Sequence, residues 1–264
     1  MEDRFVAFID ILGFSAHVRA AHNGGAISHD DLRRASKLLA GDDRVGPNPV
    51  LTVTRISDGA LISAEVNPDG LRELLDHCWV TCLNLLPTGL MCRGFVTRGP
   101  LDHSERDYYG LGAVEAVEGE KRVKAFAKAP EDGGTPFIEI HQPIIDYINQ
   151  QDDQGLRDIV RKFTKSDGVV TAIFPYRMLY HPVILAAGKK FDAERERAAN
   201  EKMRSDLKVT KDRIMSHADM GDAKVARKVA HYLSFLDEAL ARCDQTDDYI
   251  TNLVTPPSQR ARKT

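Results

Sequence analysis

The sequence predicts an α+β fold, a mainly antiparallel sheet with helices packed on one of its faces. Three observations carry this expectation. Apolar runs of strand length occupy residues 5–12, 50–56, 60–66 and 90–97; the middle pair flanks the turn Ser57-Asp58-Gly59; and helical patterns separate the other runs. The order strand, helix, hairpin, helix, strand is that of a ferredoxin-like βαββαβ core. A chain of 264 residues, at roughly 150 per domain, holds one large domain or one domain with an appendage.

Each element has its own reason. Residues 5–12 (FVAFIDIL) are apolar except for Asp10 and stop at Gly13, which reads as a buried strand. Residues 29–39 turn helical and end at Gly41, and 41–49 carry enough Gly, Pro, Asp and Asn to form a loop. VLTVTRI and ALISAEV then make a hairpin around Asp58-Gly59. Leu71, Leu74, Leu75, Cys78, Cys82, Leu85 and Leu86 form one apolar helical stripe that stops near Pro87 and Gly89. A strand at 90–97 follows. Further on, 114–129 reads as a helix ended by Pro130, 137–140 as a strand, 144–149 as a helix and 168–174 as a strand. Past Gly188 the chain becomes densely charged, until Val225, Val229, Tyr232, Leu233, Leu236 and Leu240 mark an amphipathic helix. The expected division is therefore a core over 1–187 and a helical extension over 188–264, packed on the core or on a second subunit.

Composition narrows the function. Lys+Arg 36 against Asp+Glu 39 gives a net charge of -3, which does not favour nucleic acid as a partner. Cys78, Cys82, Cys92 and Cys243 show neither a CxxC pair nor disulfide-scaffold spacing, which favours a reduced, cytoplasmic chain. No signal-peptide pattern opens the sequence and no apolar run nears the roughly 20 residues of a membrane span. Gly110-Leu111-Gly112 lacks the third glycine of a dinucleotide fingerprint, and neither HExxH nor GxSxG occurs.

Two carboxylates stand out. An ionised Asp10 inside an apolar strand is expensive unless it is paired or binds a cation. Asp58 by itself is ordinary hairpin punctuation. In a βαββαβ order, however, the hairpin lies beside the first strand, and two carboxylates at one sheet edge suit one or two Mg2+ ions that also bind phosphate oxygens.

The residues around them carry a resemblance. Phe8-Ile9-Asp10-Ile11-Leu12-Gly13-Phe14-Ser15 resembles the first metal-binding motif of class III nucleotidyl cyclases, and Arg55-Ile56-Ser57-Asp58-Gly59 resembles the second. The similarity runs through Cys92-Arg93-Gly94 to Gly99 and through Asp107-Tyr108-Tyr109-Gly110, covering roughly the first 185 residues. Within that group, the Ser-Asp turn, the Arg-Gly-x-x-x-Arg-Gly strand and the Tyr-Gly-x-Gly helix start are most similar to the pyrimidine cyclases of bacterial Pycsar antiphage systems. The resemblance implies a signalling enzyme that makes cyclic UMP from UTP, with pyrophosphate as the second product and a separate cyclic-nucleotide-responsive effector. Cytidylate or purine cyclase activity with the same site is the alternative, and so is a non-catalytic binding module.

For the site it implies two Mg2+ or Mn2+ ions on Asp10, Asp58 and the Ile11 carbonyl, with Arg93 on the triphosphate. Arg93 in a surface ion pair is the plainer alternative. Arg55 lies next to the base-contacting position, and a donor-only guanidinium favours the O4 acceptor of uracil. Strict strand alternation would instead aim Thr54 at the base. Asp107 falls on a second base-contacting position. The family's transition-state Asn and Arg are replaced by Val114 and Glu118, so either another cation such as Arg98, Lys121 or Lys124 supplies that charge, or the enzyme depends more heavily on metal, or the chain is a catalytically dead relative. One such domain per chain implies a homodimer with composite sites.

Overall fold

The computed structural model describes residues 1–41, 50–104, 106–129, 132–178 and 191–254. It opens with β1 (Glu2–Ile11), which Gly13, at φ 73°, turns into α1 (Phe14–His22). Then come α2 (His29–Ala40), capped reciprocally by Ser28 and Asp31 and stopped by Gly41, and the hairpin of β2 (Leu51–Ile56) and β3 (Gly59–Glu65). Next are α3 (Pro68–Leu85), β4 (Cys92–His103), the two-residue β5 (Tyr108–Tyr109) and α4 (Leu111–Arg122). The remainder is β6 (Ile138–Ile140), α5 (Gln142–Gln150), α6 (Gln154–Phe163), β7 (Thr164–Ser166), β8 (Thr171–Ile173), α7 (Ala193–His217) and α8 (Ala223–Val254).

The fold is α+β around one sheet of order β2-β3-β1-β4-β6-β8-β7, with β5 paired to the end of β4. Every pairing is antiparallel except β4 with β6. Alternation along β1 divides the core. Phe5, Ala7, Ile9 and Ile11 join residues of α2, α3, α5 and α6, among them Leu32, Leu71, Ile144 and Leu156. Val6 faces the other way, with Leu61, Leu101, Ala113 and Ala116.

That second cluster corrects the expectation of helices on one face only. α4 crosses the opposite face because its small residues let it lie almost on the strands. A Cβ on Gly112 would stand 3.1 Å from the Gly99 carbonyl oxygen, and one on Gly119 would overlap the Phe95 ring. The helix also starts three residues before the expected 114 and stops at Arg122 instead of Ala129. It stops early because the Glu139 carboxylate accepts from the Lys124 and Ala125 amides, at 2.9 and 3.1 Å, which withdraws those donors from a helix. α1, β5, α6 and β7 were not anticipated; β5 and β7 are two and three residues long and α1 buries no side chain, whereas α6 is amphipathic, with Leu156 and Phe163 buried, and its pattern was overlooked.

The expected boundary at 187/188, the terminator Pro130 and most of the loop over 41–49 lie outside the described residues. The C-terminal helices share a core with the sheet: Leu207 and Ile214 of α7 and Val229, Tyr232, Phe235 and Leu236 of α8 pack with Leu12, Met91, Phe137 and Phe174. α7 buries only Asn200, Leu207, Thr210 and Ile214, a stripe one residue wide, which explains its charged sequence. Asn200 Nδ2 donates to the Cys243 carbonyl at 2.8 Å, joining the two helices. Among the described residues no helix is long and apolar enough to cross a membrane.

Gly119→Val puts a branched side chain into the Phe95 ring. It is expected to lower stability by about 2–3 kcal/mol, read as an earlier urea midpoint. An unchanged midpoint would mean that α4 does not lie this close to β4.

Candidate functional site

The site grows from strand register. Asp10 pairs with Gly59 of β3 on one side and with Arg93 of β4 on the other. Residues directly opposite in antiparallel strands point to the same face, so Asp10 and Arg93 stand side by side on the face that α4 partly covers. Ile56 pairs with Gly59, leaving Ser57 and Asp58 as the whole of the hairpin turn. The turn is tied to β1, because the Ile11 amide donates to the Asp58 carbonyl at 3.1 Å. Ser57 holds a left-handed φ of 54°, a conformation that a non-glycine residue adopts only under constraint. Asp10, Asp58 and the main chain of Ile11 thus meet at one end of the central strands, while the Ile11 side chain is buried on the opposite face.

The electrostatics are unfavourable at Asp10. Burial, then the neighbouring Asp58, then Glu120, push its carboxyl from 3.8 to about 7, against the opposing pull of Arg93 and of the Ile11 amide. Negative charge is crowded here and only partly balanced. Glu120, on the buried stripe of α4, forms an ion pair with Arg93 in which the side chains are 4% and 15% exposed. Arg93 Nη1 also points at the Gly134 carbonyl, 3.5 Å away. Arg93 is therefore a largely buried, oriented guanidinium and not a surface ion pair. Sequence reasoning missed Glu120, although a charge in register with Ala113 and Ala116 on a helix that buries that stripe was the available signal.

A second polar group lies on the same sheet face. Thr54 pairs with Leu61, which pairs with Phe8, two residues before Asp10. Two strands across and two residues along, Thr54 is about 12 Å from Asp10. β4 bends over the sheet so that His103 bridges Ser63 Oγ, at 2.8 Å, and Thr54 Oγ1, at 3.0 Å. The Thr54 hydroxyl donates to the Ser104 carbonyl at 2.7 Å, so it accepts from His103 Nε2–H, and His103 Nδ1 accepts from Ser63. His103 is held neutral: burial first and the Arg4 charge second bring it from 6.5 down to about 4. Ser104 Oγ donates to Asp107 at 2.6 Å, which places Asp107 beside Thr54. His103 was not anticipated, since a bend that carries one strand end across two others leaves no local pattern.

Arg55 is corrected. It pairs with Ala60, which pairs with Ile9, so it belongs to the face of the helical core and not to that of Asp10. Thr54, the choice of strict alternation, shares the face of Asp10, but it is buried with its hydroxyl engaged by Ser104 and His103. The proposed substitute cations also lie elsewhere. Arg98 is five residues from Arg93 along β4, about 17 Å, and donates to Asp3 at 2.7 Å. Lys121 lines a groove of about 520 Å³ on the outer side of α4, with Tyr109, Leu111, Val114 and Glu118. Lys124 borders a different cleft with Lys128 and Asp167.

Among the described residues no group of three or more His, Cys, Asp or Glu side chains is arranged to hold a metal ion. Asp10 and Asp58 nevertheless fit a divalent cation, because Asp10 is a half-buried carboxylate crowded by like charge. Such an ion would need main-chain, phosphate or water oxygens to complete its shell. No protein-family model matches the chain, and no curated protein matches it either.

Asp10 keeps its proton in the folded chain up to about pH 7, whereas an unfolded chain releases it near 3.8. Folding therefore takes up a proton between those values, and the stability contributed here falls as pH rises from about 4 to 7. Asp10→Asn should accordingly unfold at a higher temperature than wild type at pH 8 in a chelating buffer, with the gap closing by pH 4. A gap that does not change with pH would contradict the crowding of charge at Asp10.

Proposed function

We propose that the chain is a class III-type nucleotidyl cyclase that converts UTP to 3′,5′-cyclic UMP and pyrophosphate. The observation that carries this reading is the meeting of Asp10, Asp58 and Arg93 at one end of the central strands, with Asp10 left short of positive charge. The strand order β2-β3-β1-β4, with α3 between the hairpin and β4, is compatible with a ferredoxin-like βαββαβ core and supports the reading.

In the reaction the ribose 3′-oxygen attacks the α-phosphorus, a new phosphorus–oxygen bond forms, the α–β anhydride bond breaks and pyrophosphate leaves with the electron pair. The hydroxyl proton passes to water. Mg2+ or Mn2+, bound between Asp10 and Asp58 with the Ile11 carbonyl, would lower the pKa of that hydroxyl and offset charge on the departing phosphates. Arg93, oriented by Glu120, meets the phosphate oxygens with donors already fixed in space. Asp107, exposed and held by the Ser104 hydroxyl, faces the base, and the buried Thr54 supports that segment through the Ser104 carbonyl and His103.

The exposed apolar side chains Tyr109, Leu111 and Val114, 75%, 70% and 52% accessible, border the groove on α4. They fit burial against a second copy, which would bring the metal end of one chain towards the base-reading end of its partner. In this reading the enzyme acts as a homodimer in the cytoplasm, and its product signals to a separate effector in antiphage defence. A non-catalytic nucleotide-binding module is the second reading, favoured by Val114 and Glu118 where a transition-state cation would stand.

Incubation with Mn2+ and each of ATP, GTP, CTP and UTP is expected to give cyclic UMP and pyrophosphate from UTP. Asp58→Ala should reduce product by about 100-fold or more. Turnover of ATP alone would discard the pyrimidine assignment, and no cyclic product from a folded chain would leave the binding module. Within the active enzyme, Asp107→Asn should shift the preference among the four nucleotides, whereas Arg55→Ala should not. The reverse result would place Arg55 at the base after all.

A further inference from the structure

The C-terminal helix reaches the site from the other side. Lys224, Arg227, Lys228 and His231 of α8 line a cleft of about 50 Å³ closed by Asp132, Gly133 and Thr135. Lys228 is the innermost cation. Gly134, at φ 69°, brings its backbone so near that a Cβ there would run into the Arg93 guanidinium, and Lys228 Nζ lies 3.8 Å from the same point. Two cations from distant parts of the chain thus converge beside Asp10 and Glu120.

The convergence is rigid and incompletely balanced. One turn beyond Lys228, Tyr232 packs on Phe137 at 5.9 Å between ring centroids, and Phe235 does so at 5.8 Å. The Phe137 carbonyl in turn accepts from the Gly94 amide at 3.0 Å, next to Arg93. α8 is therefore fixed to the strand that carries Arg93. The nearby carboxylates are engaged: Glu120 by Arg93, and Asp132 by the Lys128 and Ala129 amides at 3.0 and 3.2 Å. Asp132 also faces Arg227 and His231 at 3.9 and 3.7 Å. Among the described residues Lys228 forms no ion pair or hydrogen bond. Burial, then Arg93, then Lys224 hold its ammonium below the ordinary lysine range, against the opposing pull of Glu120 and Asp10.

We infer that α8 completes a polyphosphate site, in which Lys228, supported by Lys224, binds the terminal phosphates of the nucleotide alongside Arg93. The inference rests on the cyclase reading for the identity of its ligand. It gives the helical extension a part in the site: displacing α8 would remove a phosphate-binding cation without touching Asp10 or Asp58. A lysine suits the role because its ammonium is a point charge that follows a phosphate tail without demanding one bidentate geometry.

The test uses the full chain and inorganic tripolyphosphate with Mg2+, followed by calorimetry. Wild type is expected to bind. Lys228→Gln should weaken binding roughly tenfold, Lys228→Arg should recover most of the loss, and Lys202→Gln on the exposed side of α7 should change nothing. Thermal unfolding without ligand should show Lys228→Gln at least as stable as wild type, since it removes a crowded charge. The inference is overturned if Lys228→Gln binds like wild type, or if wild type does not bind tripolyphosphate. It fails separately from the cyclase reading. Lys228-dependent tripolyphosphate binding without any cyclic product sinks only the enzyme assignment, and cyclisation of UTP with an unaltered KM in Lys228→Gln sinks only the role of α8.

Discussion

A carboxylate at the end of a buried central strand has to be balanced by something, and in this protein the surroundings of Asp10 balance it only in part. β1 is flanked on both sides, by β3 and β4, and the Asp10 side chain is half-buried on the face that α4 partly covers. Its neighbours are Asp58 from the hairpin and Glu120 from α4, both of the same sign, and one guanidinium that Glu120 already engages. Stability alone would favour a neutral residue at position 10. Retention of the charge makes sense if a cation joins it, and the remaining architecture serves that end: the hairpin tied to Ile11, and Arg93 held by Glu120.

Charge is segregated around this point. Acidic groups gather at the ends of β1 and the hairpin, while Arg93 and the first two turns of α8 present positive charge on the adjoining side. Such a division suits a ligand with a metal-binding edge and a polyanionic tail, which a nucleoside triphosphate has. The core that the C-terminal helices share with the sheet fits that proposal. A cation on a loosely attached appendage would not hold a fixed distance from Arg93, whereas the ring cluster of Phe137, Tyr232, Phe235 and Phe174 sets that distance by packing.

Elements with a strong local pattern were legible in the sequence. β1, α2, the β2–β3 hairpin and α3 appear within a few residues of their expected positions, because their apolar spacing and their caps are local properties; α8 starts where expected but runs on to Val254, well past the Leu240 that closed its apolar pattern. The elements that were missed or misjudged depend on partners remote in the chain. α4 lies on the opposite face because Gly112 and Gly119 meet Gly99 and Phe95, and it ends where Glu139 takes the amides that would have continued it. Strands were expected where β6 and β8 stand, but their joining the sheet beside β4, and β7 itself, were not.

At the site the same distinction holds. Asp10 and Asp58 could be singled out from sequence because a lone charge in an apolar strand and an Asp-Gly turn are visible in short windows of residues. Period-two alternation already offered Thr54 against Arg55, and register with Leu61 and Phe8 decided between them. His103 and Lys228 were out of reach, since each acts on a residue far away in the chain, Thr54 and Arg93 respectively, whereas Glu120 left a local signal on the buried stripe of α4 but no sign of its partner Arg93, 27 positions away. The sequence by itself determined which segments become strands and helices and which side chains carry unusual charge. Only the tertiary structure decided which charges stand together, because electrostatic energy follows distance through space, and that distance is set by packing between elements the chain does not place in succession.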